Sequence, residues 1–385
     1  MALHAWSTCR DTLSTERSRS GAPATSLMRL RRYWLVGHRW LALSVGWLLA
    51  LAALTGILLM VGVPVDERLN RNLFEVPQPT SQERVGLEAV RLHIEAEFGA
   101  HAITSLRLPR VSTETLAVNI KSGWKGTAYV NPYTGVEVGR RSQNEGFVNF
   151  IFNIHSSLAW GATGKAILAW VALSYLLLLL SGVVLWWPRR GLPVFRLEMS
   201  RGRAIALYDL HRVGGSVFGL LIAISVATGA FMAYRPLGGW INSIAGVKAA
   251  SAPKARTTQA GATCSLDELL ARAQEQFPDA RPSLLQLPSK PGEPARVRLH
   301  SPDDPHPNGL TSVWLNPATG EVLMARRWNE LDPGARAASV IYPLHTGEIG
   351  GLLLKILLTV GALTLVLLWV TGLWHWARRG CQRRR

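Results

Sequence analysis

The stretch HRWLALSVGWLLALAALTGILL, residues 38–59, decides the fold, and the chain repeats its pattern as HRVGGSVFGLLIAISVATGAFM at residues 211–232. Both copies open with His-Arg, continue through mostly apolar residues and reach Thr-Gly at the same offset. Two further runs, 166–187 and 356–374, contain no Asp, Glu, Lys or Arg. A helix needs about 20 apolar residues to cross a hydrocarbon core of about 30 Å. The sequence therefore predicts four membrane spans.

The second and fourth spans repeat one another as well. His155 precedes Ser181-Gly182, and His345 precedes Thr371-Gly372 at the same spacing. A unit that ends in a returning helix holds an even number of spans, so both copies insert the same way up. We therefore expect parallel repeats related by a pseudo-twofold axis along the membrane normal.

The connections between the spans of each unit also match. Each contains an Asn-Pro-x-Thr-Gly segment, at 131–135 and at 316–320, between apolar runs that predict a β-hairpin. An amphipathic helical stretch lies upstream of each hairpin, at 84–98 and at 265–277. The predicted fold is a membrane α+β protein, with four transmembrane helices in a 2+2 bundle and two periplasmic α+β modules.

The positive charge is confined to one side of the predicted membrane. Of a net charge of +17, about +14 falls in the segments 1–39, 186–212 and 376–385. Basic residues next to span ends follow the positive-inside rule, which places both termini and the middle loop in the cytoplasm. The pattern argues against nucleic-acid binding and predicts a multi-pass membrane protein with both termini in the cytoplasm; the family resemblance given below implies the bacterial inner membrane.

Together these signals divide the chain into nine segments whose order repeats once. Helices alternate with periplasmic modules on one side and with short basic segments on the other. The predicted segments are a flexible cytoplasmic tail (1–28), transmembrane helix 1 (29–64), module 1 (65–150), transmembrane helix 2 (151–188), a cytoplasmic loop (189–206), transmembrane helix 3 (207–235), module 2 (236–342), transmembrane helix 4 (343–377) and a cytoplasmic tail (378–385).

Four histidines occupy the matched positions. His38 and His211 begin outward-going helices near the cytoplasm, whereas His155 and His345 begin returning helices near the outer face. A twofold axis would bring each pair together, and facing imidazoles in a helix bundle are a common way to hold a haem iron. We expect two b-type haems, one at each pair, because no Cys-x-x-Cys-His is present for covalent attachment. Zinc is a weaker alternative, since its sites use more His, Cys or carboxylate ligands.

His375 lies at the cytoplasmic end of the fourth span, at the depth of His38 and His211. It could replace one of them as a haem ligand, hydrogen bond to a haem propionate, or lie at the membrane interface without a cofactor role. The sequence leaves these alternatives open.

The motifs resemble those of PepSY-associated transmembrane proteins. The resemblance rests on His38-Arg39-Trp40-Leu41, Ile154-His155-Ser156-Ser157, Leu210-His211-Arg212, Pro343-Leu344-His345-Thr346 and the two hairpin turns, and it covers roughly residues 29–380. It implies PepSY modules outside the membrane and haem-bearing helices. Members of this family include bacterial inner-membrane reductases of ferric siderophores, so the resemblance implies a ferrioxamine-like ferric siderophore as periplasmic substrate.

The expected function is a ferric siderophore reductase. Electrons from an unidentified cytoplasmic donor would pass through the two haems to a ferric siderophore and release ferrous iron, with no catalytic residue assigned beyond the haems. Two alternatives remain. One is a permease for the siderophore or iron, although such sites tend to lie at the membrane midplane. The other is a haem-free periplasmic binding or sensor scaffold.

Overall fold

The computed structural model of the chain describes residues 26–77, 83–187, 195, 197–234, 236–237, 239–240, 253–255 and 264–382. Most of the predicted tail 1–28 lies outside these residues. So do parts of the predicted cytoplasmic loop 189–206, of module 2 and of the tail 378–385.

Four helices within the described residues are long and apolar enough to cross a membrane. These candidate spans are Arg29–Leu69, Gly161–Trp186, Arg203–Ala233 and Glu348–Arg378. Their number confirms the prediction of a multi-pass membrane protein.

Helices and strands follow one another in the order that the sequence suggests. The helices are α1 (Ser26–Leu69), α2 (Arg71–Phe74), α3 (Leu87–Phe98), α4 (Phe147–Ser157), α5 (Gly161–Trp186), α6 (Arg203–Ala233), α7 (Leu266–Gln276), α8 (Pro333–Ser339), α9 (Ile341–His345) and α10 (Gly351–Gln382), with short 3-10 turns at Met199–Arg201, Trp328–Glu330 and Glu348–Gly350. The strands are β1 (Ile103–Arg107), β2 (Leu116–Ser122), β3 (Trp124–Val130), β4 (Glu137–Ser142), β5 (Arg281–Gln286), β6 (Ala295–His300), β7 (Thr311–Leu315) and β8 (Val322–Arg326).

The second predicted span, 151–188, is interrupted. α4 ends where Leu158 and Ala159 take left-handed backbone angles, with φ of 51° and 58°, and the Ala159 N–H donates to the Asn153 carbonyl. Such angles are unusual for residues other than glycine and end a helix. His155 therefore lies on a separate short helix before the span.

The fourth predicted span, 343–377, is interrupted at the corresponding place. Gly347 and Gly351 have positive φ, 76° and 56°, and they separate α9 from α10. His345 is the last residue of α9. Both returning histidines are thus carried by a short helix that lies before the membrane-crossing one.

The four long helices form a bundle in which α1 and α6 each pack against both α5 and α10. Apolar side chains fill its centre, among them Leu49, Val171, Ile222 and Leu365. The buried Tyr175 hydroxyl donates to the Gly219 carbonyl at 3.0 Å, which satisfies a polar group within this apolar core.

All eight strands form one antiparallel sheet in the order β4-β3-β2-β1-β5-β6-β7-β8. The sequence predicts two modules, and the structure joins them where β1 pairs with β5, Leu106 opposite Leu285. Each module alone would leave the backbone of β1 or β5 unpaired at an edge, and pairing them satisfies those groups. We call the β1–β5 junction the seam.

The helices beside the seam cap each other. Asp267 of α7 accepts hydrogen bonds from the backbone N–H groups of Leu87 (2.7 Å) and Glu88 (3.0 Å) at the start of α3. Glu88 in turn accepts from the Leu266 N–H at the start of α7, at 3.0 Å. Carboxylates at helix N-termini satisfy free donors and complement the helix dipole. The two halves of the sheet region are therefore tied by reciprocal caps as well as by the seam.

Candidate functional site

Two pairs of histidine rings face each other in the bundle. At the end of the bundle where α1 begins and α10 ends, His38 of α1 and His211 of α6 have ring centres 6.4 Å apart and nearly perpendicular planes, at 81°. We call this the terminal-end pair. Near the sheet, His155 of α4 and His345 of α9 have ring centres 6.1 Å apart with planes at 42°. We call this the sheet-end pair.

Each ring is held through its Nδ1 atom by a Ser or Thr hydroxyl on the neighbouring helix. The oxygen partners are Ser181 for His38 (2.7 Å), Thr371 for His211 (3.0 Å), Thr55 for His155 (3.1 Å) and Thr228 for His345 (3.1 Å). In every case the histidine and the hydroxyl come from the same half of the chain.

These hydroxyls accept rather than donate. Each already donates to a carbonyl one turn back in its own helix, for example Thr371 to Leu367 at 2.7 Å and Ser181 to Leu178 at 3.0 Å. Its lone pairs then remain for an N–H on the imidazole. The hydrogen-bond pattern therefore assigns the proton of each histidine to Nδ1.

Backbone carbonyls make the same assignment at the sheet end. Nδ1 of His155 lies 3.0 Å from the Ala52 carbonyl, and Nδ1 of His345 lies 3.0 Å from the Ser225 carbonyl. Because a carbonyl can only accept, both Nδ1 atoms carry a hydrogen. The lone pair of Nε2 is then free, which is the arrangement of metal-binding histidines.

A glycine follows each of these hydroxyls and makes room for the ring. A Cβ added at Gly229 would lie 2.9 Å from Cε1 of His345, and one at Gly56 would lie 3.2 Å from Cε1 of His155. At Gly182 and Gly372 the corresponding distances are 3.7 and 3.8 Å. The Ser/Thr-Gly dipeptides are thus part of the site, and the sheet-end glycines are the more restrictive.

In the sequence these dipeptides mark the repeat, but their role as hydrogen-bond partners of the histidines was not predicted. The spacing between each histidine and the next dipeptide could have indicated it. His38 and Thr55 lie 17 residues apart on one helix, so their levels differ by about 26 Å. The antiparallel neighbour formed by α4 and α5 also has its histidine before its hydroxyl. Because it runs the other way, Ser181 lies at the level of His38 and His155 at the level of Thr55. The two pairs are therefore separate sites.

The geometry suits a metal that brings its own further ligands. With a metal about 2.0 Å from each nitrogen and each ring centre roughly one bond length further back, two opposed imidazoles have ring centres about 6 Å apart. Both pairs meet this distance. Among the described residues, no group of three or more His, Cys, Asp or Glu side chains could hold a metal ion. The paired histidines would therefore suit a metal held in a cofactor such as haem, which supplies the metal's other ligands.

His375 lies close enough to His211 to interact with it electrostatically. Its ring packs edge-on against Trp374, with ring centres 5.1 Å apart, and against Tyr208, at 6.2 Å. The structure thus brings together His38 and His211 and places His375 beside two aromatic side chains.

Arginines follow both histidines of the terminal-end pair. Arg212 forms an ion pair with Asp209 at 3.0 Å, and Asp209 is buried. Arg39 packs against the Trp40 ring, and its buried Nε atom has no hydrogen-bond partner in the described part of the chain. Because an unsatisfied buried donor is costly, Arg39 is suited to an anionic group at this end.

The family model described as PepSY-associated TM region matches residues 35–379, which is nearly the whole chain. No curated protein matches the sequence. The matched residues include all four paired histidines and all eight described strands. The chain therefore belongs to the PepSY-associated transmembrane-region family.

Proposed function

We propose that the protein is a haem-containing reductase that carries electrons across the bacterial inner membrane to a ferric siderophore. The observation that carries the proposal is the pairing of four histidines at two levels, with each Nδ1 engaged and each Nε2 free. His38 and His211 would hold a cytoplasmic-side haem b, and His155 and His345 a periplasmic-side haem b.

Bound haem would supply one-electron transfer, so that one electron taken from a cytoplasmic donor reduces one Fe³⁺ of the chelate to Fe²⁺ and the donor is oxidised by one electron. The chain's own residues set the conditions for this. Hydroxyl and carbonyl acceptors on Nδ1 fix the tautomer and ring orientation and increase the basicity of each ligand. Arg39, whose buried Nε has no partner among the described residues, would be available to an anionic group of the cytoplasmic-side haem.

The distribution of charge supports the orientation. About +14 of the net charge lies in the segments that precede, join and follow the spans on the side of the termini. By the positive-inside rule that side is cytoplasmic and the sheet is periplasmic. A basic face would attract an acidic electron-carrier protein, and the attraction would weaken with salt.

The symmetry of the sheet supports the 2+2 arrangement with two PepSY modules. The strand order is the same read outward from the seam in either direction, and helices α3 and α7 exchange equivalent caps. A pseudo-twofold axis through the seam and the bundle would relate His155 to His345 and His38 to His211. The motif resemblance extends to the ferrioxamine reductase FoxB and supports reduction, rather than transport, of the siderophore.

An absorption spectrum of detergent-purified protein tests the proposal. We expect low-spin b-type bands in the dithionite-reduced protein and about two haems per chain by pyridine haemochrome. Stopped-flow mixing of the reduced protein with ferrioxamine or ferric citrate should reoxidise the haem and produce Fe²⁺ that ferrozine captures. A flat visible spectrum from cells grown with adequate haem would overturn the proposal, and a stable reduced spectrum in the presence of every ferric chelate would remove its reductase part.

A further inference from the structure

A cavity of about 260 Å³ opens at the seam of the sheet. The first half of the chain contributes Leu108 and Arg110, which follow β1, and the second half contributes Arg281, His300 and Pro307. None of the described residues that line it is acidic. Its volume lies just below the usual range for sites of drug-sized ligands. It suits a compact ligand or one arm of a larger one.

The loop between β6 and β7 is built around this cavity. The Asp304 carboxylate accepts hydrogen bonds from the backbone N–H groups of His306 and Leu310, which fixes the loop from within. Asn308 then ties the loop to both halves of the chain. Its side-chain oxygen accepts from Arg110 at 3.0 Å, and its carbonyl accepts from the Ser283 hydroxyl at 2.6 Å.

The cavity region is strongly basic. Burial, followed by the nearby Arg298 and Arg110, lowers the pKa of His306 to about 4. Four arginines are concentrated here, at positions 107, 110, 281 and 298. Asp304 and Glu114 are acids beside them, and both already accept backbone hydrogen bonds. An anion entering the cavity would find guanidinium groups from both halves of the chain, and no acidic side chain lines the described cavity itself.

The same loop contacts α9, the helix that carries His345 of the sheet-end pair. The His306 ring stacks on Tyr342, with ring centres 4.9 Å apart and planes at 23°. Tyr342 lies on α9, about one helical turn before His345. The loop that contributes Pro307 to the cavity is therefore in contact with the helix that carries a proposed haem ligand.

We propose that this cavity binds an anionic ferric chelate through Arg110 and Arg281, so that the preferred substrate carries free carboxylate groups. The inference rests on the proposed function and makes its substrate class specific. It distinguishes anionic chelates from ferrioxamine B, whose free ammonium group makes the complex cationic. Charge-assisted pairs between guanidinium and carboxylate give the recognition.

Gallium complexes test the inference without any redox step, because Ga³⁺ resembles Fe³⁺ in charge and size but is not reduced. Full-length protein in detergent would be titrated with gallium citrate and with gallium ferrioxamine B by isothermal calorimetry. We expect gallium citrate to bind more tightly, and its affinity to fall with added salt. Arg281→Gln and Arg110→Gln should each weaken it by about tenfold.

Lys121→Gln is the matched control, because Lys121 is an exposed cation at the opposite end of the strands. Arg281→Gln is the more informative variant, because the Arg281 side chain is exposed and its loss should not disturb the fold. Loss of Arg110 would also remove its hydrogen bond to Asn308 in the loop. Unchanged gallium citrate affinity in Arg281→Gln and Arg110→Gln, or tighter binding of the cationic complex, would overturn the inference. If the inference is overturned in this way but the protein contains haem, the reductase proposal still stands. If the protein lacks haem but gallium citrate binding depends on the arginines, only the reductase proposal fails.

Discussion

At the sheet end of the bundle, a Cβ added at Gly229 would approach the facing imidazole to 2.9 Å, whereas at the terminal end one added at Gly372 would approach to 3.8 Å. The ring planes differ as well, by 42° at the sheet end and 81° at the terminal end. Both ends use the same hydroxyl and glycine pattern. One pattern therefore gives a tight site beside the sheet and a looser, arginine-flanked site at the other end of the bundle.

Replacing one of the paired histidines should produce the largest difference in haem content between the two ends of the bundle. We expect His345→Ala to lose about half of the haem and to abolish reduction of external ferric chelates, while the haem at the terminal end stays reducible by dithionite. The physical reason is that His155 alone leaves the iron with one axial protein ligand. Pyridine haemochrome counts and ferrozine assays measure both effects.

His93→Ala is the control for this prediction, because His93 is an exposed histidine on α3. Full haem content in His345→Ala would contradict the pairing. Loss of the terminal-end haem in His375→Ala, with His211→Ala unaffected, would assign His375 as the ligand there.

Adding one methyl group should affect the ends unequally. In Gly229→Ala the imidazole of His345 must move, so we expect loss of most low-spin signal from the sheet-end haem in electron paramagnetic resonance spectra. Gly372→Ala is the matched control, since 3.8 Å is ordinary contact and its spectrum should match that of the wild type. Alanine favours a helix over glycine, so helix propensity cannot account for a loss. Equal spectra for the two variants would show that the sheet end is no tighter.

Removing one hydroxyl should have a smaller effect. Thr371→Val keeps the side-chain volume but removes the oxygen that accepts from His211 Nδ1 at 3.0 Å. We expect about tenfold weaker haem binding at the terminal end, a typical effect for a residue that orients a metal ligand. Competition with apomyoglobin measures it. Thr359→Val is the control, because Thr359 donates only to the Lys355 carbonyl of its own helix.

A separate prediction, outside the histidine pairs, concerns the pH dependence of stability. His306 is 5% exposed and its pKa is held to about 4, against about 6.5 in an unfolded chain. The unfolded state binds more protons between these values, so stability is constant above pH 6.5 and falls as the pH drops towards 4, by up to about 3 kcal/mol. Burial raises the pKa of Asp304, which offsets part of this loss at the acid end.

Thermal unfolding midpoints at pH 7.5 and pH 5 check the prediction. His306→Gln should reduce the difference between the two midpoints, and His93→Gln should leave it as in the wild type. An identical pH dependence in all three proteins would mean that His306 does not titrate as the structure indicates.

The sequence was sufficient for features that depend on local pattern. Apolar length predicted the four spans, and matched spacing predicted which histidines would face each other. It could not predict the break after α4, because Leu158 and Ala159, which take positive φ there, are neither glycine nor proline. Nor could it predict the seam. β1 and β5 are far apart in sequence, and amphipathic strands do not identify a distant partner. The cavity follows from the seam and was missed for the same reason.

The seam also has a consequence for how the protein is made. About 180 residues separate Leu106 from its partner Leu285, and ribosomes add about 5–20 residues per second. For roughly ten seconds or more, the newly made β1 is therefore an unprotected strand edge outside the membrane, while α5 and α6 are still being inserted. Such edges recruit other chains. Expression that is slow or stalled between β1 and β5 should consequently favour misassembly between neighbouring nascent chains.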